Sequence, residues 1–311
     1  MFFKVLLTFS ISISIQTFAI SVSFGELETV SFKSKVLGER KIHFFSLEDQ
    51  IINKETTFIF FQDGQNLFDA ETMWRNQEWE IDETFKKMHL KNLNTNIVII
   101  AVNSANKSGN GFLDNTKRYA EYFPKQSISF FDKGFRKFAY KKFIDTYRFN
   151  YLNFLSEELI PLVEEKFKTK LNKNNTGIMG ASMGGLISLN AMLEYPETFG
   201  FAGAFSTHWV GIQPLEYFVL PFRKRIEGDK LTTSAIKKYI ESRVVNLENH
   251  KTYFDRGTQG LDAAYKNPQK EIDKIFSENN LSFKSFIFEG HDHLEKDWAK
   301  RFEKALIFLT N

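Results

Sequence analysis

Thr176-Gly177-Ile178-Met179-Gly180-Ala181-Ser182-Met183-Gly184-Gly185-Leu186 is the stretch on which the reading of the fold turns. Thr176 to Gly180 is short and apolar, too brief for a helix and suited to a buried strand. Leu186, Leu189 and Leu193 then recur at helical spacing. Between the two lies G-x-S-x-G, with glycines at 180 and 184 flanking Ser182. The order strand, tight turn, helix is what gives this motif meaning: small residues let strand and helix approach while the serine hydroxyl is thrust out at the helix N-terminus. Ser182 is therefore the candidate nucleophile, and the helix dipole favours negative charge beside it.

Outward from this elbow the pattern repeats. Thr57 to Phe61 and Asn96 to Val102 are apolar runs too short for helices and read as central parallel strands. Trp79, Ile81, Phe85 and Met88 fall at near-helical spacing and predict a crossover helix joining them. Upstream, Glu28 to Ser34 and Lys41 to Leu47 alternate like half-buried strands about a turn at Gly38. Downstream, an amphipathic helix is predicted from about Phe149 to Phe167, bent at Pro161. Phe201 to Ser206, Lys251 to Phe254 and Phe283 to Phe288 predict three more strands, and Asp297 to Leu309 a closing helix. This alternation predicts an α/β fold with a doubly wound, mainly parallel sheet flanked by helices. The domain spans about residues 24–311, with insertions at about 104–147 and 207–249. The first shows no sustained period and reads as an excursion over the active face. The second, with Pro214, Pro221 and a basic helical segment from Ala235 to Arg243, reads as a lid or cap.

Lys plus Arg total 41 against 38 for Asp plus Glu, and a net charge of +3 is too small to argue for nucleic acid as a partner. Phe accounts for 35 residues and aromatics for 16% of the chain, which predicts a thick aromatic core. Lys4, the apolar stretch from Val5 to Ile20 and the small Ala19 have the order of a secretory signal peptide over residues 1–19. The expectation is a secreted or periplasmic protein with no stable membrane span after leader removal. The chain has no cysteine, which excludes disulfides, thiolate metal sites and a Cys nucleophile.

A serine needs a base and the base an orienting acid, in the chain order Ser, acid, His. His293 follows the last predicted strand in the loop Gly290-His291-Asp292-His293 and is preferred over His291. A metal site at His291, Asp292 and His293 is the competing reading; no other cluster completes its shell, so no metal is expected. For the acid, Asp262 lies several residues beyond the strand from Lys251 to Phe254, where it can bend back to the base. Asp255, at the strand end, is the alternative. The oxyanion donors are expected to be the backbone amide of Met183 and that of Gln65 or Gly64, with Gly64 also a candidate substrate contact. His208 and Trp209, after the strand next to the nucleophile, are candidate wall residues for substrate.

Several blocks together resemble the putative esterase family, which includes esterase D, siderophore-ester hydrolases and feruloyl or acetylxylan esterases. They are Phe61-Gln62-Asp63-Gly64-Gln65-Asn66-Leu67-Phe68, Arg118-Tyr119-Ala120-Glu121-Tyr122, Gly180 to Gly185, Asp255-Arg256-Gly257-Thr258, and Gly290 to Glu295 followed by Trp298. The resemblance covers about Lys41 to Leu309. It implies an α/β-hydrolase fold and carboxylic-ester hydrolysis without metal or organic cofactor, on a small-molecule or carbohydrate-linked ester. Gln259 departs from the pattern, since similar proteins often carry Glu after Gly-Thr. A thioesterase or acyltransferase would use the same machinery, and a binding protein that kept the fold without catalysis is the reading from a different class. Phe130, Phe131, Phe135, Phe138 and Tyr140 suggest an aryl or acyl pocket, or plain core.

Overall fold

A computed structural model describes residues 21–68, 76–105, 112–132, 134–211 and 228–311. In chain order these form β1 (Glu26–Ser34), β2 (Gly38–Ser46), β3 (Thr57–Gln62), α1 (Ile81–Leu90), β4 (Ile97–Val102), α2 (Phe112–Tyr122) and α3 (Phe135–Asp145). Then follow α4 (Tyr151–Asn153), α5 (Ile160–Phe167), β5 (Thr176–Ala181), α6 (Met183–Glu194), β6 (Phe201–Phe205) and α7 (Lys230–Arg243). The chain closes with β7 (Lys251–Gly257), α8 (Lys266–Glu278), β8 (Ser282–Phe288) and α9 (Glu295–Thr310). The leader expected at 1–19 lies outside the described residues. Among the described residues, no helix is long and apolar enough to cross a membrane.

The eight strands make one sheet in the order β1-β2-β4-β3-β5-β6-β7-β8. β2 pairs antiparallel with both β1 and β4, and every later pairing is parallel. This is the α/β-hydrolase arrangement. β4, β5 and β6 are buried along their whole length because helices cover both faces. Side chains alternate between two cores: Phe58, Phe60, Val98 and Ile100 enter one, and Ile59, Phe61, Ile97 and Ile99 the other. In the second core Trp79 meets Phe61 and Phe205 edge-on at 5.0 Å and stacks on Trp298 at 5.5 Å, carrying the packing up to the active face.

The excursion at 104–147 is more regular than expected. It contains α2 and α3, although 106–111 and 133 lie outside the described residues. Arg118 to Phe123 run right round the end of α2 and are buried or half-buried, with Arg118 and Glu121 engaged in ion pairs, so charges and aromatics are mixed on every side and no clean apolar stripe results. Of the second insertion, 212–227 lie outside the described residues; α7 buries Ala235, Ile236, Tyr239 and Ile240. The long helix through Pro161 exists, and its ladder widens into a π-helical stretch over Phe154–Leu159. Pro161 has no N–H to offer the Glu157 carbonyl, and the wider turn absorbs that lost bond. α8 has no counterpart in the sequence reading: its buried residues Ile272, Ile275 and Phe276 are few and start after Pro268. β7 extends three residues beyond Phe254, so Asp255 sits inside the strand, facing Phe205 on one side and Phe286 on the other.

Candidate active site

Ser182 stands between β5 and α6 with φ 59° and ψ −123°, a backbone conformation that non-glycine residues rarely adopt. Such strain costs on the order of 1–3 kcal/mol and persists only where the surroundings enforce it. Here they do. The Ser182 N–H donates to the Phe205 carbonyl at 2.9 Å, and the Ser182 carbonyl accepts from Leu186 and His208. A Cβ at Gly180 would come within 2.8 Å of the Gly184 backbone, and one at Gly185 within 2.9 Å of Thr207 Oγ1. The turn is therefore closed to any larger side chain at those positions.

Beside the elbow, at the end of β3, Asp63 is left-handed (φ 57°) and begins a short 3-10 turn over Gly64–Asn66. α2 fixes it in place: Arg118 bonds the Asp63 carboxylate through Nε and Nη2 at 2.6 Å each, and the Asp63 N–H donates to Tyr122 Oη at 3.3 Å. Gly64 packs against β4, where a Cβ would meet the Ala101 carbonyl carbon at 2.8 Å. The Gln65 side chain exchanges two hydrogen bonds with Ser104. That ties the Gln65 side chain to the loop after β4, while Asp63 Oδ2 would lie 3.0 Å from a Cβ at Gly184, in the elbow's first turn.

Asp262 and His293 meet. Oδ1 of Asp262 is 2.6 Å from Nδ1 of His293, and its Oδ2 accepts from the Gly257 N–H at 2.5 Å and the Ser206 hydroxyl at 2.6 Å. Burial pushes this carboxyl up, but the bond and charge of His293 and the other two donors outweigh it and hold it below the usual carboxylate range. An ionised carboxylate only accepts, so His293 Nδ1 carries the proton and Nε2 offers its lone pair. The ring is held between Tyr265 at 5.7 Å and Trp298 at 5.0 Å, both edge-on.

Asp255 is placed otherwise. It is fully buried, its Oδ1 accepts from the Ser206 N–H and from Arg301, and its Oδ2 accepts from Tyr253. Burial raises it to about 6 despite Arg301. Gln259, the departure from the family pattern, is exposed and uses its backbone N–H on the His291 carbonyl. The His291 side chain meets Arg301 and Asp297, while His293 turns to Asp262.

His208 does reach the site: its N–H meets the Ser182 carbonyl and its Nδ1 lies 2.8 Å from Tyr265 Oη. Burial, then the nearby His293 and Arg118, lower it to about 3, so it is neutral. Trp209, expected beside it as a wall residue, is instead core: it is 1% exposed, donates to Gln269 Oε1 and packs edge-on against Phe254. The large indole is better buried between β7 and α8 than left in a cleft. Three residues of the cluster were not singled out from sequence, Ser206, Tyr265 and Arg301. Arg301 had a signal, since Trp298, Phe302 and Ala305 put it on the apolar stripe of α9, where a charge demands a buried partner.

Fold and site together define an α/β-hydrolase. The chain belongs to the putative esterase family, whose model matches residues 38–309, and thus to an ester-hydrolase family. Over 152 residues it is 30% identical to the uncharacterized protein YbbA of Bacillus subtilis (strain 168), a match spanning 49% of this chain and 50% of that protein. Among solved structures it is similar to a ferulic acid esterase, at 17% identity and TM-score 0.65, covering 93% of this chain and 99% of that one. It is also similar to an S-formylglutathione hydrolase from Agrobacterium tumefaciens, at 14% identity and TM-score 0.59, covering 96% and 99%.

Proposed function

We propose that this protein hydrolyses carboxylic esters through a covalent acyl-enzyme on Ser182. The observation that carries this is the 2.6 Å contact between Asp262 and His293, with Asp262 held ionised, on the same sheet edge as the strained Ser182. In the reaction His293 Nε2 takes the Ser182 proton as Oγ attacks the ester carbonyl. The developing oxyanion is bound by the Met183 and Gln65 amides, aided by the N-terminal end of α6. His293 then protonates the departing alcohol, and a water activated by the same nitrogen releases the acid.

The substrate is a small-molecule or carbohydrate-linked ester. A thioesterase or acyltransferase with the same triad is the second reading, favoured by the likeness to a hydrolase of S-formylglutathione. The experiment is a panel of short acyl, feruloyl, acetyl-sugar and siderophore esters, with matched thioesters, assayed with wild type and Ser182→Ala. Ser182-dependent turnover is expected; hydrolysis retained by the variant overturns the mechanism. If neither turnover nor fluorophosphonate labelling occurs, the protein is a binding protein on a hydrolase fold. The order of Lys4, the apolar run and Ala19 further supports export with a mature chain starting near Ile20, which N-terminal sequencing tests.

A further inference from the structure

Arg301 is wholly buried on α9, beneath the loops that carry Asp262 and His293. Its Nη1 donates to Ser206 Oγ at 3.1 Å and Asp255 Oδ1 at 3.2 Å, and lies 3.6 Å from Asp262 Oδ2. Its Nε reaches His291 Nδ1 at 3.3 Å and its Nη2 the Asp292 carbonyl, one residue before His293, at 3.4 Å. One guanidinium thus touches the acid's strand, the acid itself and the base's loop. Ser206, on which it converges, is left-handed (φ 40°) at the end of β6, a strained setting for a serine.

The hydrogen bonds of Ser206 Oγ leave no freedom. Trp298 Nε1 donates to it at 3.0 Å and Arg301 Nη1 at 3.1 Å. Indole and guanidinium are donors only, so both lone pairs of the hydroxyl are taken and its single proton has one acceptor left, Asp262 Oδ2 at 2.6 Å. A serine that could rotate would instead alternate between accepting and donating. We infer that Ser206 and Arg301 are positioning residues for the acid: Arg301, with Trp298, aims the Ser206 proton at Asp262 Oδ2 and so turns Oδ1 toward His293.

This inference rests on the Ser182, His293 and Asp262 reading and deepens it. The other titratable groups around the cluster are Asp255 and Tyr253 on β7, Tyr265 beyond Asp262, His208 toward Ser182, and Asp297 and Lys300 against His291. A charge-balanced account alone would make Arg301 a counter-ion for Asp255. The hydroxyl's direction makes it more, because a counter-ion would leave the acid's geometry untouched when Ser206 is removed.

The test uses the full-length enzyme and four variants, Ser206→Ala, Arg301→Gln, Arg301→Lys and Ser206→Ala/Arg301→Gln, each assayed for kcat and KM on the best ester of the panel. For Ser206→Ala, kcat is expected to fall roughly 10- to 100-fold, the fold-change matching one lost hydrogen bond to a charged group, with KM unchanged within about twofold. The double variant is expected to be no slower than the slower single one, since both substitutions break one path. Arg301→Lys, which keeps a donor and the charge, is expected to recover part of the loss of Arg301→Gln. The rate of fluorophosphonate labelling at Ser182 should fall with kcat, and the low-field proton signal of the His293–Asp262 bond should shift in Ser206→Ala. A folded Ser206→Ala enzyme with wild-type kcat and an unshifted signal overturns the inference, as does a double variant showing the product of the two losses. Wild-type turnover that does not depend on Ser182 would instead overturn the reading beneath it. Should Arg301→Gln fail to fold, Ser206→Ala and Arg301→Lys decide the question on the same readouts.

Discussion

Gly260 and Asp292 touch: with φ +51° at Gly260, a Cβ there would lie 1.9 Å from Asp292 Oδ1. The loop carrying Asp262 and the loop carrying His293 are therefore packed so closely that no side chain fits at Gly260. The Thr258 and Gln259 amides, both donating to the His291 carbonyl at 3.0 Å, lock the same seam. Across it runs the bond from His293 to Asp262, so the relative placement of the two groups is set by main chain rather than by side-chain chance.

Gly260→Ala is expected to open this seam. The new methyl meets a carboxylate in a backbone conformation that already disfavours L side chains, at a cost on the order of 1–3 kcal/mol. Melting temperature should drop and kcat with it, while Gly38→Ala, where nothing lies within 4 Å and φ is likewise positive, should cost stability without touching kcat. Thermal unfolding and steady-state kinetics on both variants check this. Equal losses of kcat would show that the seam does not set the site.

Asp262→Asn tests the acid directly. An amide can donate to His293 Nδ1 and leave the proton on Nε2, the wrong nitrogen for a base, so kcat is expected to fall by up to about 10⁴-fold while the fold survives. Circular dichroism alongside the assay separates the two effects. Activity within about tenfold of wild type would instead make the enzyme a serine and histidine dyad.

The fold was legible where side chains alternate on a buried sheet, because Phe58 to Phe61 and Ile97 to Val102 have apolar residues on both faces and nothing else explains such runs. The strained turn at Ser182 and the meeting of His293 with Asp262 were legible because the chemistry they suggest restricts residue type and chain order. The choice against Asp255 rested on reach, and the structure places that residue deeper in β7 than its sequence position suggested, with Ser206, Tyr253 and Arg301 as partners. What stayed hidden depends on contacts between distant segments. Trp209 looked like a wall because it follows a strand next to the nucleophile; its partner Gln269 is on a helix the apolar pattern does not announce. Arg301 and Ser206 are 95 residues apart, and no local pattern links them.

His208 carries a pH consequence. Its folded value is lowered to about 3, first by burial and then by its charged neighbours, against 6.5 for an ordinary imidazole. The unfolded chain then binds the proton more tightly, so this residue's contribution is intact above about 6.5 and is lost as pH falls toward 3. Relative to wild type, His208→Gln is expected to flatten the fall in stability between pH 6.5 and 4, measured by urea unfolding across that range. An unchanged slope would mean that His208 is protonated without penalty in the folded state.

Asp255 works in the opposite direction. Burial raises its carboxyl to about 6 from 3.8, with Arg301 pulling it back and Asp262 pushing it further up. The native state now holds this proton more tightly than the unfolded chain. Its stabilising contribution is complete below about 3.8 and disappears as pH rises through about 6. Asp255→Asn removes the titration, so between pH 4 and 7 the variant should lose less stability than wild type as pH rises. It also removes hydrogen bonds worth about 1 kcal/mol each, so it should melt lower than wild type at low pH, and the difference should shrink as pH rises through about 6 and Asp255 ionises. kcat should stay within about tenfold of wild type, a much smaller loss than in Asp262→Asn, because Asp255 reaches His293 only indirectly, through Ser206 and Arg301, whose own bonds to Asp262 and to the His293 loop remain. Melting curves and kcat on the same preparations separate the roles of the two aspartates. A folded but inactive Asp255→Asn with an active Asp262→Asn would exchange them.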